Sequence, residues 1–234
     1  MSHTFVLVHG AWHGGWCWRR VADRLSAQGH TVFTPTLTGL GERAHLLNDG
    51  IGLKTHIVDV INVMKWEELD DIVLCGHSYG GMVIAGVAEE MQSSIRSIVF
   101  LDAFLPRNGE AAVELVAPPF QEAIRARLQA GEKVLPPRSA EAFCVNEADR
   151  PWVDRLCRPQ PAAAFTDKIA LTGAYDRIAR KTYIRAKAYA SPGFDRALAT
   201  VRADPSWKVY EAPCGHDVMV DSPDWLAAVL MEVA

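Results

Sequence analysis

Short apolar runs rich in β-branched residues alternate along this chain with segments of helical spacing, and that alternation constrains the fold more than any other feature. Residues 4–10 (TFVLVHG) read as a buried strand closed by glycine. Trp18, Val21, Ala22 and Leu25 follow at i, i+3, i+4 and i+7, which predicts a helix over about 16–28 stopped by Gly29. Residues 31–36 (TVFTPT) read as a second strand and 38–43 (TGLGER) as a glycine-rich loop. Ile57, Val60, Ile61 and Met64 mark a second helix, 71–75 a third strand, 79–91 a third helix and 95–102 a fourth strand. Strands separated by helices cannot pair through tight turns, so the pattern implies a parallel sheet covered on both faces.

The alternation breaks at Pro106. Residues 107–176 hold seven of the thirteen prolines and short helical pieces such as 120–129. It resumes with strand 181–187, a helix within about 193–203, strand 207–212 and a last helix that has Ser222 at its N-cap and Pro223 at its first position. The expected architecture is α/β: a doubly wound, mostly parallel sheet of about six strands, with residues 1–106 and 177–234 as core. Residues 107–176 form a small helical cap inserted after the fourth strand.

Composition limits what such a chain does. It has 234 residues, 22% of them charged, and a formal net charge of −4. No basic run of the kind that tracks a polyanion is present, so nucleic acid is not an expected partner. No apolar stretch approaches the roughly 18 residues of a membrane helix, and residues 1–10 lack the basic and apolar regions of a signal peptide. The five cysteines, Cys17, Cys75, Cys144, Cys157 and Cys214, are odd in number and carry no metal-type spacing. Reduced thiols in a cytoplasmic protein that needs neither metal nor cofactor are the expectation.

The chemistry concentrates at residues 74–82 (LCGHSYGGM). Gly76-His77-Ser78-Tyr79-Gly80 fits G-x-S-x-G between a predicted strand and a predicted helix, the setting of a nucleophile elbow. Side chains at 76 and 80 would crowd so tight a turn, hence Gly76 and Gly80. A serine needs a base, and His216, on the loop between the last strand and the last helix, is the candidate. His77 reads as structural, and His3, His30, His45 and His56 as surface or capping residues.

Residues 7–18 (LVHGAWHGGWCW), 76–81 (GHSYGG), 99–106 (VFLDAFLP) and 214–217 (CGHD) resemble the α/β-hydrolases, specifically the branch of plant methyl esterases, hydroxynitrile lyases and bacterial esterase relatives. The resemblance spans nearly the whole chain and is weak over 107–176. It implies an oxyanion hole built from the backbone N–H groups of Ala11 and Tyr79, with Gly10 beside them. Lyases of the branch carry threonine at the position of Gly10 and lysine at that of Asp217. Both differences favour an esterase, the acidic residue because a negative charge there would oppose departure of cyanide. His13, Trp16 and Trp18 also match the branch and are expected to pack the first helix on the sheet.

The third triad member departs from the branch. The resemblance places an aspartate where this chain has Ala188, and no acid appears until Asp195. Asp102, at the end of the fourth strand, is the preferred candidate and Asp195 the alternative; Asp217 is too close to His216 in sequence to orient its ring. The reading is a serine hydrolase that cleaves an ester of a small hydrophobic or aromatic acid through an acyl-enzyme. Phe120, Phe143, Trp152, Leu156 and Phe165 are expected to line its pocket. Lyase-like or other non-hydrolytic chemistry on the same residues, and a ligand-binding receptor with a vestigial triad, stay open. So does a homodimer.

Overall fold

A computed structural model describes residues 2–234. Six strands, β1 (Thr4–Val8), β2 (Thr31–Phe33), β3 (Ile72–His77), β4 (Ile95–Leu101), β7 (Arg180–Ala186) and β8 (Trp207–Ala212), form one sheet in the order β2-β1-β3-β4-β7-β8, and every neighbouring pair is parallel. The central strands β1, β3 and β4 are buried almost throughout, as their continuous apolar runs require of strands covered on both faces.

The sheet is flanked by α1 (Arg19–Ala27), α2 (Leu53–Trp66), α3 (Gly80–Met91), α8 (Pro192–Arg202) and α10 (Pro223–Glu232), with α9 (Val218–Asp221) a single turn before α10. Val21 and Leu25 of α1, and Val60, Ile61 and Met64 of α2, are buried. Each contributes roughly 1.5–3 kcal/mol by leaving water.

Between β4 and β7 the chain forms α4 (Ala112–Leu115), α5 (Pro118–Gln129), α6 (Arg150–Leu156), α7 (Ala163–Thr166) and an antiparallel ribbon of β5 (Val134–Leu135) and β6 (Gln160–Pro161). The ribbon was not expected from the sequence. Its strands have two residues each, too short for a period-two pattern to register.

Several boundaries differ from those expected. Strand β2 stops at Phe33, because Pro35 follows and cannot donate to a ladder. Residues 15–18 form a 3-10 turn rather than the start of the first helix, and Gly41–Leu46 form a second such turn where a loop was expected. Ser222 occupies the N-cap of α10 but its side chain makes no capping bond.

Register places the site. Val8 pairs with Gly76, Gly76 with Phe100, and Leu101 with Ile184. The carboxyl ends of β1, β3, β4 and β7 therefore meet at one edge, where open α/β sheets bind ligands.

Candidate active site

Strand β3 ends at His77, α3 begins at Gly80, and Ser78 lies between them with φ +54°. A non-glycine residue in this left-handed region is strained, and such strain persists only where the surroundings enforce it. The enforcement is steric. A Cβ on Gly76 would fall 2.5 Å from the Gly80 carbonyl oxygen, and one on Gly80 would fall 2.9 Å from the carbonyl oxygens of both Val8 and His9. Trp12 (φ 66°), Asp102 (φ 41°) and Cys144 (φ 58°) are strained in the same way around the same edge.

An unbroken hydrogen-bond line runs through three elements. The Ser78 hydroxyl donates to His216 Nε2 at 2.9 Å, and His216 Nδ1–H donates to Asp102 Oδ2 at 2.6 Å. Asp102 follows β4 directly and is fully buried. His216 sits between β8 and α9; its N–H donates to the Phe143 carbonyl, and its own carbonyl accepts from His77 Nε2–H at 3.0 Å. The Tyr189 ring stacks on the imidazole at 4.5 Å and the Phe194 ring at 5.4 Å.

Ala11 follows β1 and Tyr79 follows Ser78. Among the described residues neither backbone N–H has a hydrogen-bond acceptor, although both residues are buried. Orphaned buried donors are rare, and a pair beside a strained serine at a helix N-terminus is what a developing oxyanion requires. The Gly10–Ala11 peptide is held by its carbonyl, which accepts from His9 Nδ1–H at 2.7 Å. His9 Nε2 accepts from the Leu37 N–H, so the ring is neutral, and burial carries its pKa down to about 3. A Cβ on Gly10 would fall 2.8 Å from His77 Nδ1 and 2.9 Å from the Ser78 Cβ.

The other expected residues fall differently. Asp195 does not reach His216; it bonds Arg185, which in turn bonds Asp102. Asp217 is fully buried and turned away from the cavity, bonded to His13 at 3.0 Å. Its charge is therefore matched by His13 rather than left free at the cavity wall, and the argument against cyanide departure drawn from it loses its force. His13 does not serve mainly to pack α1: it holds Asp217 and the Ala11 carbonyl and stacks on Trp16. His56 is buried rather than at the surface, between the Tyr79 hydroxyl and the Thr38 carbonyl.

A cavity of about 420 Å³ opens over Ser78 and His216, lined by Phe104, Phe120, Phe143, Phe165, Phe194 and the cation Arg138 among others. This is within the usual range for small-molecule sites. Trp152 and Leu156 do not line it. Trp152 packs edge-on against Trp16, and Leu156 faces a separate crevice with Trp16 and Arg19. Helix α6 sets these two residues beside Trp16 of the 3-10 turn and Arg19 rather than in the cavity. Ligand-type atoms of His77, His216 and Asp217 lie within 4.8 Å of one another, but both His216 nitrogens and His77 Nε2 are committed to hydrogen bonds.

Sequence reasoning passed over Arg185, Tyr189, Phe194 and Arg138. Arg185 had a signal: it directly follows Tyr183 and Ile184 in an expected strand, and an arginine buried in a sheet requires an anion.

The comparisons with known proteins bear on the family and the fold. The model of the alpha/beta hydrolase family matches residues 5–229. The chain is 43% identical over 236 residues to the carbendazim hydrolyzing esterase of Nocardioides sp. (strain SG-4G), covering 97% of this chain and 98% of that protein. It is 36% identical over 103 residues to salicylic acid-binding protein 2 of Nicotiana tabacum, covering 44% of this chain and 40% of that one. An extracellular alpha/beta-hydrolase from a Paenibacillus species has the same fold, with a TM-score of 0.86, 24% identity and 99% coverage of both chains.

Proposed function

The chain belongs to the alpha/beta hydrolase family, and from that premise we propose that it hydrolyses a carboxylic ester of a small hydrophobic or aromatic acid, with Ser78 as nucleophile, His216 as base and Asp102 as the acid that orients it. The coarser activity, carboxylic ester hydrolysis, rests on 43% identity to an esterase over nearly the full length of both chains. The observation that carries the finer reading is the continuous line Ser78–His216–Asp102, with contacts of 2.9 and 2.6 Å.

Ser78 Oγ attacks the ester carbonyl carbon as its proton passes to His216 Nε2. The carbonyl oxygen becomes an oxyanion between the Ala11 and Tyr79 N–H groups. The imidazolium keeps its Nδ1–H on Asp102, then delivers the Nε2 proton to the leaving alcohol as the carbon–oxygen bond breaks. Water, deprotonated by His216, attacks the acyl-serine and releases the acid. Residues 107–176 act as the cap over this site, and their phenyl rings Phe120, Phe143 and Phe165 supply a flat apolar surface for an aromatic acyl group. The resemblance to a carbendazim hydrolyzing esterase makes carbendazim a substrate to try first.

A fluorophosphonate probe should label Ser78 and no other serine, with labelling lost in Ser78→Ala and in heat-denatured protein. A panel of p-nitrophenyl and methyl aryl esters, with mandelonitrile alongside, should give ester turnover and no cyanide release. Cyanide release, or tight saturable binding of an aryl ester without turnover, would overturn the reading in favour of a lyase or a receptor.

A further inference from the structure

Asp102 is engaged on both of its oxygens. Oδ2 accepts from His216 at 2.6 Å. Oδ1 accepts from Arg185 Nη1–H at 2.6 Å and from the Ala186 N–H at 3.0 Å. The register that pairs Leu101 with Ile184 sets Asp102 beside Arg185, one residue further on. The arginine is itself fixed, with its side chain 7% exposed. All five of its N–H groups are used: Nε and Nη2 on Asp195 at 3.0 and 2.8 Å, Nη2 also on the Tyr189 carbonyl at 2.6 Å, and Nη1 also on the Ala186 carbonyl at 2.7 Å.

A guanidinium with no free donor is not a substrate-binding group, and it has no rotamer to exchange. Its charge is therefore a permanent part of the field around the histidine. A carboxylate alone favours the imidazolium; a carboxylate already paired with a cation favours it less.

Resting on the assignment of Asp102 as the triad acid, we propose that Arg185 is a positioning residue of this site. It clamps Asp102 in line with His216, and its fixed charge offsets that of the carboxylate on the side away from the histidine. Asp195 is the outer anchor of the clamp, which gives that residue its place near the site without a place in the triad.

The other charged or titratable groups that face His216 are constant across the comparison. They are His77 from the end of β3, His13 and Asp217 as a mutually bonded pair, Tyr189 over the ring, Asp195 on α8 and Arg138, which bonds the Tyr189 hydroxyl.

The test is the pH profile of kcat/KM for p-nitrophenyl acetate in the wild type, Arg185→Lys, Arg185→Gln, Arg185→Met and Asp102→Asn, each checked for folding by circular dichroism. Loss of the charge in the Gln and Met variants should raise the pH of half-maximal kcat/KM by about one unit. Lysine should hold the wild-type midpoint while lowering the plateau, since it keeps the charge but not the five-donor fork. Superimposable wild-type and Gln or Met profiles would overturn the proposal. If neither of those variants folds, the lysine variant decides: a wild-type plateau, or an upward displacement of its midpoint, overturns the proposal. Asp102→Asn separates the two levels. Near-normal turnover in that variant removes the triad assignment itself, whereas collapse of its turnover alongside an unmoved Arg185→Gln profile removes only the role of Arg185.

Discussion

His13 and Asp217 form a fully buried ion pair, 3.0 Å long, that ties the turn after β1 to the turn carrying His216. His13 Nδ1–H donates to the Ala11 carbonyl and Nε2–H to Asp217, so both ring nitrogens carry protons and the ring is an imidazolium. Burial opposes that charge, but the Cys157 sulfur and the Asp217 carboxylate outweigh it and raise the pKa of His13 well above its ordinary value. Burial likewise opposes ionisation of Asp217, and His13 outweighs it, holding the carboxyl at about 2.

Asp217→Asn should therefore destabilise the fold by about 3 kcal/mol, the lower end for a broken buried pair because an imidazole can release its proton. The melting temperature should fall by about 6–12 °C. The raised His13 contributes stability in full below its ordinary 6.5 and loses it as pH rises through its higher folded value. The lowered Asp217 contributes above its ordinary 3.8 and loses that as pH falls toward 2. The gap between wild type and variant in urea unfolding should be widest between those two values and should narrow on either side.

Three other histidines set the acid limit. Burial, first among the causes, depresses His9 to about 3, His56 to about 4 and His77 well below 6.5. Each is neutral when folded and takes up a proton on unfolding once the pH drops below 6.5. Their contribution is present above that value and is lost as pH falls through the folded values. Between 6.5 and the folded values, stability should decline by up to about 4 kcal/mol per pH unit. Urea unfolding followed from neutral to mildly acid pH checks the slope, and His56→Gln should reduce it by about a third.

Tyr79 has two separable roles. Its hydroxyl donates to His56 Nδ1 at 2.9 Å, while His56 Nε2–H donates to the Thr38 carbonyl at 3.0 Å. Tyr79→Phe leaves His56 Nδ1 buried without a donor and should cost about 1–3 kcal/mol in chemical denaturation. Only the backbone N–H of Tyr79 faces the proposed oxyanion, so kcat/KM should stay within an order of magnitude of wild type. A larger loss would place the side chain in the chemistry.

The legible part of this chain was the part written in local patterns. Apolar runs and glycine spacing located β1, β3, β4, the Ser78 corner and the loop of His216, because each is set by neighbours in sequence. Asp102 was legible as a carboxylate at the end of an apolar strand, which demands a partner. The pairings of Asp195 with Arg185 and Asp217 with His13 were not, since both depend on register and turn direction between segments far apart in the chain. Trp152 and Leu156 were misplaced for a related reason: an apolar residue in a short helix reads the same whether it faces a cavity or a neighbouring helix.

Arg138 offers the last prediction, on specificity. It lines the cavity, lies 5.3 and 5.5 Å over the rings of Phe120 and Phe143, and donates to the Tyr189 hydroxyl at 3.1 Å. Among the described residues no carboxylate pairs with it, so its remaining donors are available to a ligand. A charged hydrogen bond is worth about 1.5–3 kcal/mol. Arg138→Met should therefore raise KM roughly tenfold or more for aryl esters whose acyl part carries a carboxylate or an exposed carbonyl. The unsubstituted phenyl ester should be little affected. Steady-state kinetics on the matched pair of substrates decides the point: an equal loss on both would mean that Arg138 serves only to brace Tyr189 over His216.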